Sequence, residues 1–235
     1  MIRLREASVD VEGPAGPLRL LDHVTLDLPQ RRVAIVGDNG SGKSTLLRLI
    51  DALIAPTSGA VEVDGLDTVK AGRRVRRHVG FVFTDAMAQL LMPTPVEDVE
   101  LSLRARIHNK AERTERALEL LGQWGLAHLA RRSVYDLSGG ERQLVALTSV
   151  LATEPAVVLA DEPTTLLDLT NRLRLREAFR GLGQQLVVAT HDLDLAADAE
   201  RVLVLAGGRV VYDGEPTPAI EYYRCSAAKQ AGGHG

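Results

Sequence analysis

The run Gly37-Asp38-Asn39-Gly40-Ser41-Gly42-Lys43-Ser44-Thr45 gathers three glycines, one lysine and three hydroxyls in nine consecutive residues. Glycines at 37, 40 and 42 let the chain turn tightly enough for successive backbone N–H groups to point inward at phosphate oxygens. A helix beginning after them would add the pull of its positive end. Lys43 is placed to reach the β- and γ-phosphates, and the Ser44 hydroxyl to ligate Mg²⁺. A second group lies more than a hundred residues on, where the apolar stretch 157–160 ends in Asp161-Glu162. Asp161, at a strand end beside a phosphate loop, can hold the Mg²⁺ shell, and Glu162 can take a proton from attacking water. Together these residues predict a nucleoside triphosphate site.

The surrounding pattern supplies elements to hold them. Apolar 33–36 enters the loop as a strand, and Leu46, Leu47, Leu49 and Ile50 leave it as a helix. Alternation over 2–11 and 18–28, broken at Gly13-Pro14-Ala15-Gly16-Pro17, predicts an antiparallel pair. Further strands are expected at 61–63, 79–83, 157–160, 186–189, 202–205 and 210–212, the later ones as buried parallel strands of an α/β sheet. From about 95 to 126 the period becomes helical, with 110–121 amphipathic and rich in Arg and Glu. Arg73, Arg74, Arg76 and Arg77 read as a solvated strand entrance rather than a phosphate patch. The fold class expected is α/β, with a mixed sheet, an N-terminal antiparallel β subdomain and a helical subdomain inserted at about 90–150. One nucleotide-binding domain over 1–225 would be followed by a flexible Ala/Gly-rich tail, 226–235.

The 235 residues, 45% hydrophobic, suffice for one sizeable core. A net charge of -3 gives no field that would draw nucleic acid, so none is expected as partner. Cys225, the single cysteine, excludes an intrachain disulfide and reads as inert. No basic-then-apolar leader follows Met1 and no apolar run reaches bilayer length, so any membrane role is expected to pass through a partner.

The segment Leu137-Ser138-Gly139-Gly140-Glu141-Arg142-Gln143 opens a helix with Leu144, Leu147, Val150 and Leu151 on one face. Here the chain resembles the ATP-binding cassette family, whose signature motif it matches at every position, and the resemblance runs through nearly the whole sequence, including the P-loop core. It implies an ATPase using ATP and Mg²⁺. His191, after the apolar stretch 187–189, resembles the family's switch histidine, and Asp168 the aspartate of its D-loop, although Leu166-Leu167 replace the usual small-plus-apolar pair. Ser138, with the Gly139 and Gly140 amides and Glu141 on the same helix tip, would cap the γ-phosphate held by a second copy, in a head-to-tail dimer closed by ATP.

The stretch 79–83 followed by Gln89-Leu90, Pro93-Thr94 and 96–99 resembles the ATPases of energy-coupling-factor importers, which take up vitamins or cobalt and nickel. That resemblance implies an integral membrane coupling subunit, a substrate-binding membrane protein, and a peripheral place on the cytoplasmic membrane face, with biotin favoured as cargo. Gln89 reads either as a second glutamine-bearing element or as a plain exposed residue. Where the family has a glutamine after the 79–83 strand this chain has Thr84, which reaches Mg²⁺ only by close backbone approach or through a water, unless Gln89 substitutes. The aromatic that stacks on adenine in the family falls near Val11, so base selectivity is expected to be loose. Rival readings are a soluble cassette protein acting on nucleic acid or ribosomes, and a nonhydrolysing nucleotide-binding partner.

Overall fold

The computed structural model describes residues 1–13 and 16–232; the Pro14-Ala15 tip of the first turn and residues 233–235 lie outside the described residues. Two long strands, β1 (Ile2–Gly13) and β2 (Gly16–Leu28), form the expected antiparallel pair and lead into β3 (Arg32–Val36) and α1 (Lys43–Ile50). Then come β4 (Ser58–Val63), β5 (Leu66–Asp67), α2 (Gly72–His78), β6 (Val79–Val82), α3 (Ala86–Gln89), α4 (Pro95–Leu103), α5 (Lys110–Gln123) and α6 (Gly139–Leu151). The chain finishes with β7 (Val157–Asp161), α7 (Leu169–Gly181), β8 (Gln185–Ala189), α8 (Leu193–Ala196), β9 (Arg201–Ala206), β10 (Arg209–Gly214) and α9 (Pro216–Gly232).

These strands make two sheets. The first is antiparallel, in the order β2-β1-β4-β5. The second runs β10-β9-β3-β8-β7-β6, parallel throughout except for β10. Because side chains alternate across a strand, β3 feeds two cores. Val33 and Ile35 pack toward α1 and the antiparallel sheet, while Ala34 and Val36 pack toward α6, α7 and the helical segment. β3 lies between β8 and β9, so the loop leaving its carboxyl end opens where neighbouring chains run to opposite sides, the place open α/β sheets reserve for ligands.

Three expectations need correction. Residues 210–212 belong to β10, an antiparallel edge strand with alternating exposure, not a buried parallel one. Gly207 and Gly208, both at positive φ, make a two-residue turn that can only fold the chain back on itself. Arg73, Arg74, Arg76 and Arg77 stand on α2, where only Val75 is buried, so the expected strand entrance is a helix whose basic last turn suits its negative end. Finally, residues 226–232, where a tail is expected, are helical and continue α9, and the rest of that expected tail, 233–235, lies outside the described residues. Ala227, Ala228, Lys229, Gln230 and Ala231 are among the better helix formers, and their propensity outweighs that of Gly232.

Candidate functional site

The glycine loop closes around its own lysine. Gly37 has φ +152°, Gly40 +79° and Gly42 +105°, and a Cβ at Gly37 would stand 2.2 Å from the Leu205 carbonyl and 2.8 Å from Ser41 Oγ. No other residue fits there. Lys43, buried at the first turn of α1, donates through Nζ to the Gly37 carbonyl (2.7 Å) and the Asp38 carbonyl (3.1 Å). The ammonium therefore sits inside a ring of backbone dipoles, ready to exchange carbonyls for phosphate oxygens. Ser41 Oγ is buried without a partner, an unspent hydroxyl aimed into the loop. Asp38, Asn39 and Gly40 are exposed at the rim, and Thr45 is half-buried on α1.

Ser44 Oγ donates to Asp161 Oδ1 at 2.9 Å, joining the helix start to the end of β7. Burial pushes the Asp161 carboxyl above the usual carboxylate range, against the bond from Ser44 and the charge of Arg48. An alcohol and a carboxylate that close together form a hard, all-oxygen donor pair. Among the described residues no group of three or more His, Cys, Asp or Glu could hold a metal. The Ser44–Asp161 oxygen pair fits Mg²⁺, which takes few protein ligands and fills its shell with phosphate and water.

Glu162 follows with φ +48°, in the left-handed region, its own N–H donating to the Ala189 carbonyl at 2.8 Å. This costly conformation turns the carboxylate back over the loop. Oε2 accepts from the His191 backbone N–H (3.1 Å) and meets His191 Nδ1 at 2.7 Å, while Oε1 lies 3.6 Å from Lys43 Nζ. A carboxylate only accepts, so Nδ1 carries the proton and Nε2 is left for another partner. Glu162 and His191 are brought together here with Gly37, Asp38, Asn39, Thr84, Thr165 and Tyr223 around a cleft of about 420 Å³.

Thr84 lines that cleft, and its hydroxyl donates to the Asp161 carbonyl at 2.8 Å. Gln89 does not stand in for it. Its Oε1 accepts from the Phe83 N–H (3.0 Å) and its Nε2 donates to the Phe81 carbonyl (3.1 Å), so both ends of the amide bind the end of β6. Gln143 donates to the Phe83 carbonyl at 3.2 Å and fastens α6 to the same strand end.

Ser138 caps α6, its Oγ accepting from the Glu141 N–H (3.3 Å) while the Glu141 carboxylate accepts from the Ser138 N–H (2.7 Å). That bond from Ser138 holds the Glu141 carboxyl below the usual range, against partial burial. Ser138 is exposed and its hydroxyl hydrogen remains free to donate outward. Neither Ser138 nor Glu141 lines the cleft of its own chain. Gly139 and Gly140 are braced from behind, for a Cβ on Gly139 would stand 3.3 Å from the Leu166 carbonyl and one on Gly140 2.1 Å from Asn171 Cγ. Asp168 is exposed and caps α7, its Oδ1 accepting from the Asn171 N–H at 2.8 Å.

Sequence reasoning missed Tyr223 and Gln143. The first sits on α9, 185 residues from the Asp38 it binds, with no local signal to mark it. The second stood inside a quoted motif without an assigned partner.

Comparison with known proteins adds the following. A family described as "ABC transporter" matches residues 21–165. The biotin transport ATP-binding protein BioM of Rhizobium etli is 42% identical over 208 residues, covering 88% of this chain and 92% of the relative. The energy-coupling factor transporter ATP-binding protein EcfA1 of Halalkalibacterium halodurans is 34% identical over 231 residues, covering 96% and 82%. Among solved structures, the dimeric post-hydrolysis state of the ATP-binding cassette MJ0796 bound to ADP and Pi superposes with a TM-score of 0.81 at 33% identity, covering 92% of this chain and 99% of that one.

Proposed function

The chain belongs to the ABC transporter ATPases, of the energy-coupling-factor type, and from that premise we propose that it powers vitamin import, biotin foremost, as the peripheral ATPase of a membrane complex in which two copies close head to tail over ATP. The observation that carries this reading is the incomplete cleft. Glu162 and His191 line it, with Lys43 Nζ 3.6 Å from the Glu162 carboxylate, while the exposed Ser138 tip, with a free hydroxyl hydrogen and the positive end of a helix, is not part of its lining. A second copy would supply the missing wall.

In this reading Lys43 exchanges the Gly37 and Asp38 carbonyls for the terminal phosphates of ATP, and the unspent Ser41 hydroxyl adds a donor. Ser44 and Asp161 would hold Mg²⁺, with Thr84 acting through the Asp161 backbone. When bound, the ion supplies a Lewis acid to the phosphate oxygens. Glu162, steadied by two bonds from His191, takes the proton from the attacking water. Hydrolysis then sets the separated phosphates of ADP and inorganic phosphate repelling each other within the site, which would release the dimer.

Biotin is favoured by the name of the 42% identical relative, and the membrane partners by the transport named in both relatives. No helix among the described residues is long and apolar enough to cross a membrane, so the attachment is assigned to those partners. The test is Glu162→Gln. Hydrolysis should fall about 10²- to 10⁴-fold, the contribution typical of a general base, while Mg-ATP traps a dimer measurable by light scattering. A variant that hydrolyses at the wild-type rate, or stays monomeric with ATP, would refute it. For cargo, the chain should co-purify with integral membrane proteins that take up biotin. Uptake of cobalt or nickel by that complex instead would overturn the biotin assignment alone.

A further inference from the structure

Helix α9 packs on the edge of the sheet through buried Ala219 and Ile220, with the Tyr222 ring tilted against that of Tyr212 on β10 at a centroid distance of 5.1 Å. From this fixed base Tyr223 extends to the phosphate loop. Its hydroxyl donates to Asp38 Oδ1 at 3.1 Å, and its ring forms part of the cleft that Glu162 and His191 line. Asp38 is a junction in that loop, its carbonyl accepting from Ser41 N–H (3.1 Å) and from Lys43 Nζ (3.1 Å). Its carboxylate is the one negative group the loop itself contributes, at the rim of a pocket built to attract phosphate. An unrestrained carboxylate there would repel the incoming anion.

We propose that Tyr223 is a positioning residue of the nucleotide site, whose phenol holds the Asp38 carboxylate toward α9 and so keeps a like charge away from the terminal phosphate. The inference rests on the cleft being the seat of that phosphate. Burial, the bond to Asp38 and the nearby charge of Glu162 push the phenol up to about 12, so the hydroxyl stays a donor across the physiological range. The restraint acts on the third phosphate. A diphosphate leaves the Glu162 end of the cleft empty and should be indifferent to it.

The test is equilibrium binding of ADP and of a nonhydrolysable ATP analogue to the full chain, comparing wild type with Tyr223→Phe, which keeps the ring and removes the donor. The variant should bind the triphosphate about three- to five-fold more weakly, the size expected of a charge interaction in a partly exposed site. ADP affinity should change less than two-fold and serves as the folding control. In an Asp38→Asn background, Tyr223→Phe should carry no penalty, because the repelling charge is gone. Unchanged triphosphate affinity in Tyr223→Phe, an equal loss for ADP, or a penalty that persists with Asn at 38 would each overturn the proposal. If wild type bound no triphosphate, the reading of the cleft would fall and this inference with it; normal wild-type binding with an indifferent Tyr223→Phe removes only the inference.

Discussion

Asp98 on α4 is the buried charge whose removal has the best-defined cost. Its Oδ1 accepts from the backbone N–H groups of Leu91 (2.8 Å) and Met92 (3.2 Å), and its Oδ2 from the Ser149 hydroxyl (2.7 Å) on α6. The carboxylate therefore ties the loop after Gln89 to the helix that carries the Ser138 tip. In Asp98→Ala the two loop amides can turn to water, at about 1 kcal/mol each, while the Ser149 hydroxyl is left inside at about 1–2 kcal/mol, for a sum of about 3–4 kcal/mol. Asp98→Asn keeps an acceptor for both amides and loses charge assistance, costing about 1–2 kcal/mol. Ser149→Ala leaves one carboxylate oxygen short of a donor, at a similar cost. Urea unfolding with fitted midpoint and slope gives these values directly, and the double variant Asp98→Ala with Ser149→Ala should fall short of the sum of the singles by at least about 0.5 kcal/mol. An Asp98→Ala chain within about 0.5 kcal/mol of wild type, or an Asn variant as damaged as the Ala one, would refute the assignment.

Two further outcomes are expected. Thr84→Gln should change the hydrolysis rate more than ATP affinity, because Thr84 bonds the backbone of Asp161 beside the acid pair, whereas the phosphates are gripped by the backbone and lysine of the glycine loop; equal rate and affinity in both proteins would refute it. Asp51, at the end of α1, is pushed up to about 7 by burial, against the opposing charge of Arg76. Between about pH 4, where the unfolded chain loses this proton, and about pH 7, the folded chain binds more protons, so stability falls as pH rises through that window. Asp51→Asn should flatten that fall and stabilise the protein at pH 8 by about 1–3 kcal/mol, below the ceiling of ~4 kcal/mol set by moving the carboxyl from about 4 to about 7; unchanged unfolding midpoints at pH 5 and pH 8 would count against it.

The parts of the site legible in the sequence are those whose signal is local. The glycine loop, the acid pair ending an apolar stretch and the helix opened by Ser138 each declare their backbone geometry within a few residues, and the structure brings Lys43, Ser44, Asp161, Glu162 and His191 around one strand-end crevice. Gln89 was ambiguous because a sequence does not say which way an amide turns; here both ends bind the β6 backbone. Tyr223 and the Asp98–Ser149 bond were silent because their partners lie 185 and 51 residues away. The edge strand β10 was misread because an apolar triplet looks alike on either side of a sheet, and its exposure is decided by which neighbour it lacks.

The two glycines at the tip of α6 leave little space between that tip and the segment following Glu162: Leu166 backs one and Asn171 the other. A lever with little slack transmits what happens at either end. In a pair of such chains, the loop that feels one active site's chemistry would be the brace behind the finger inserted into the other.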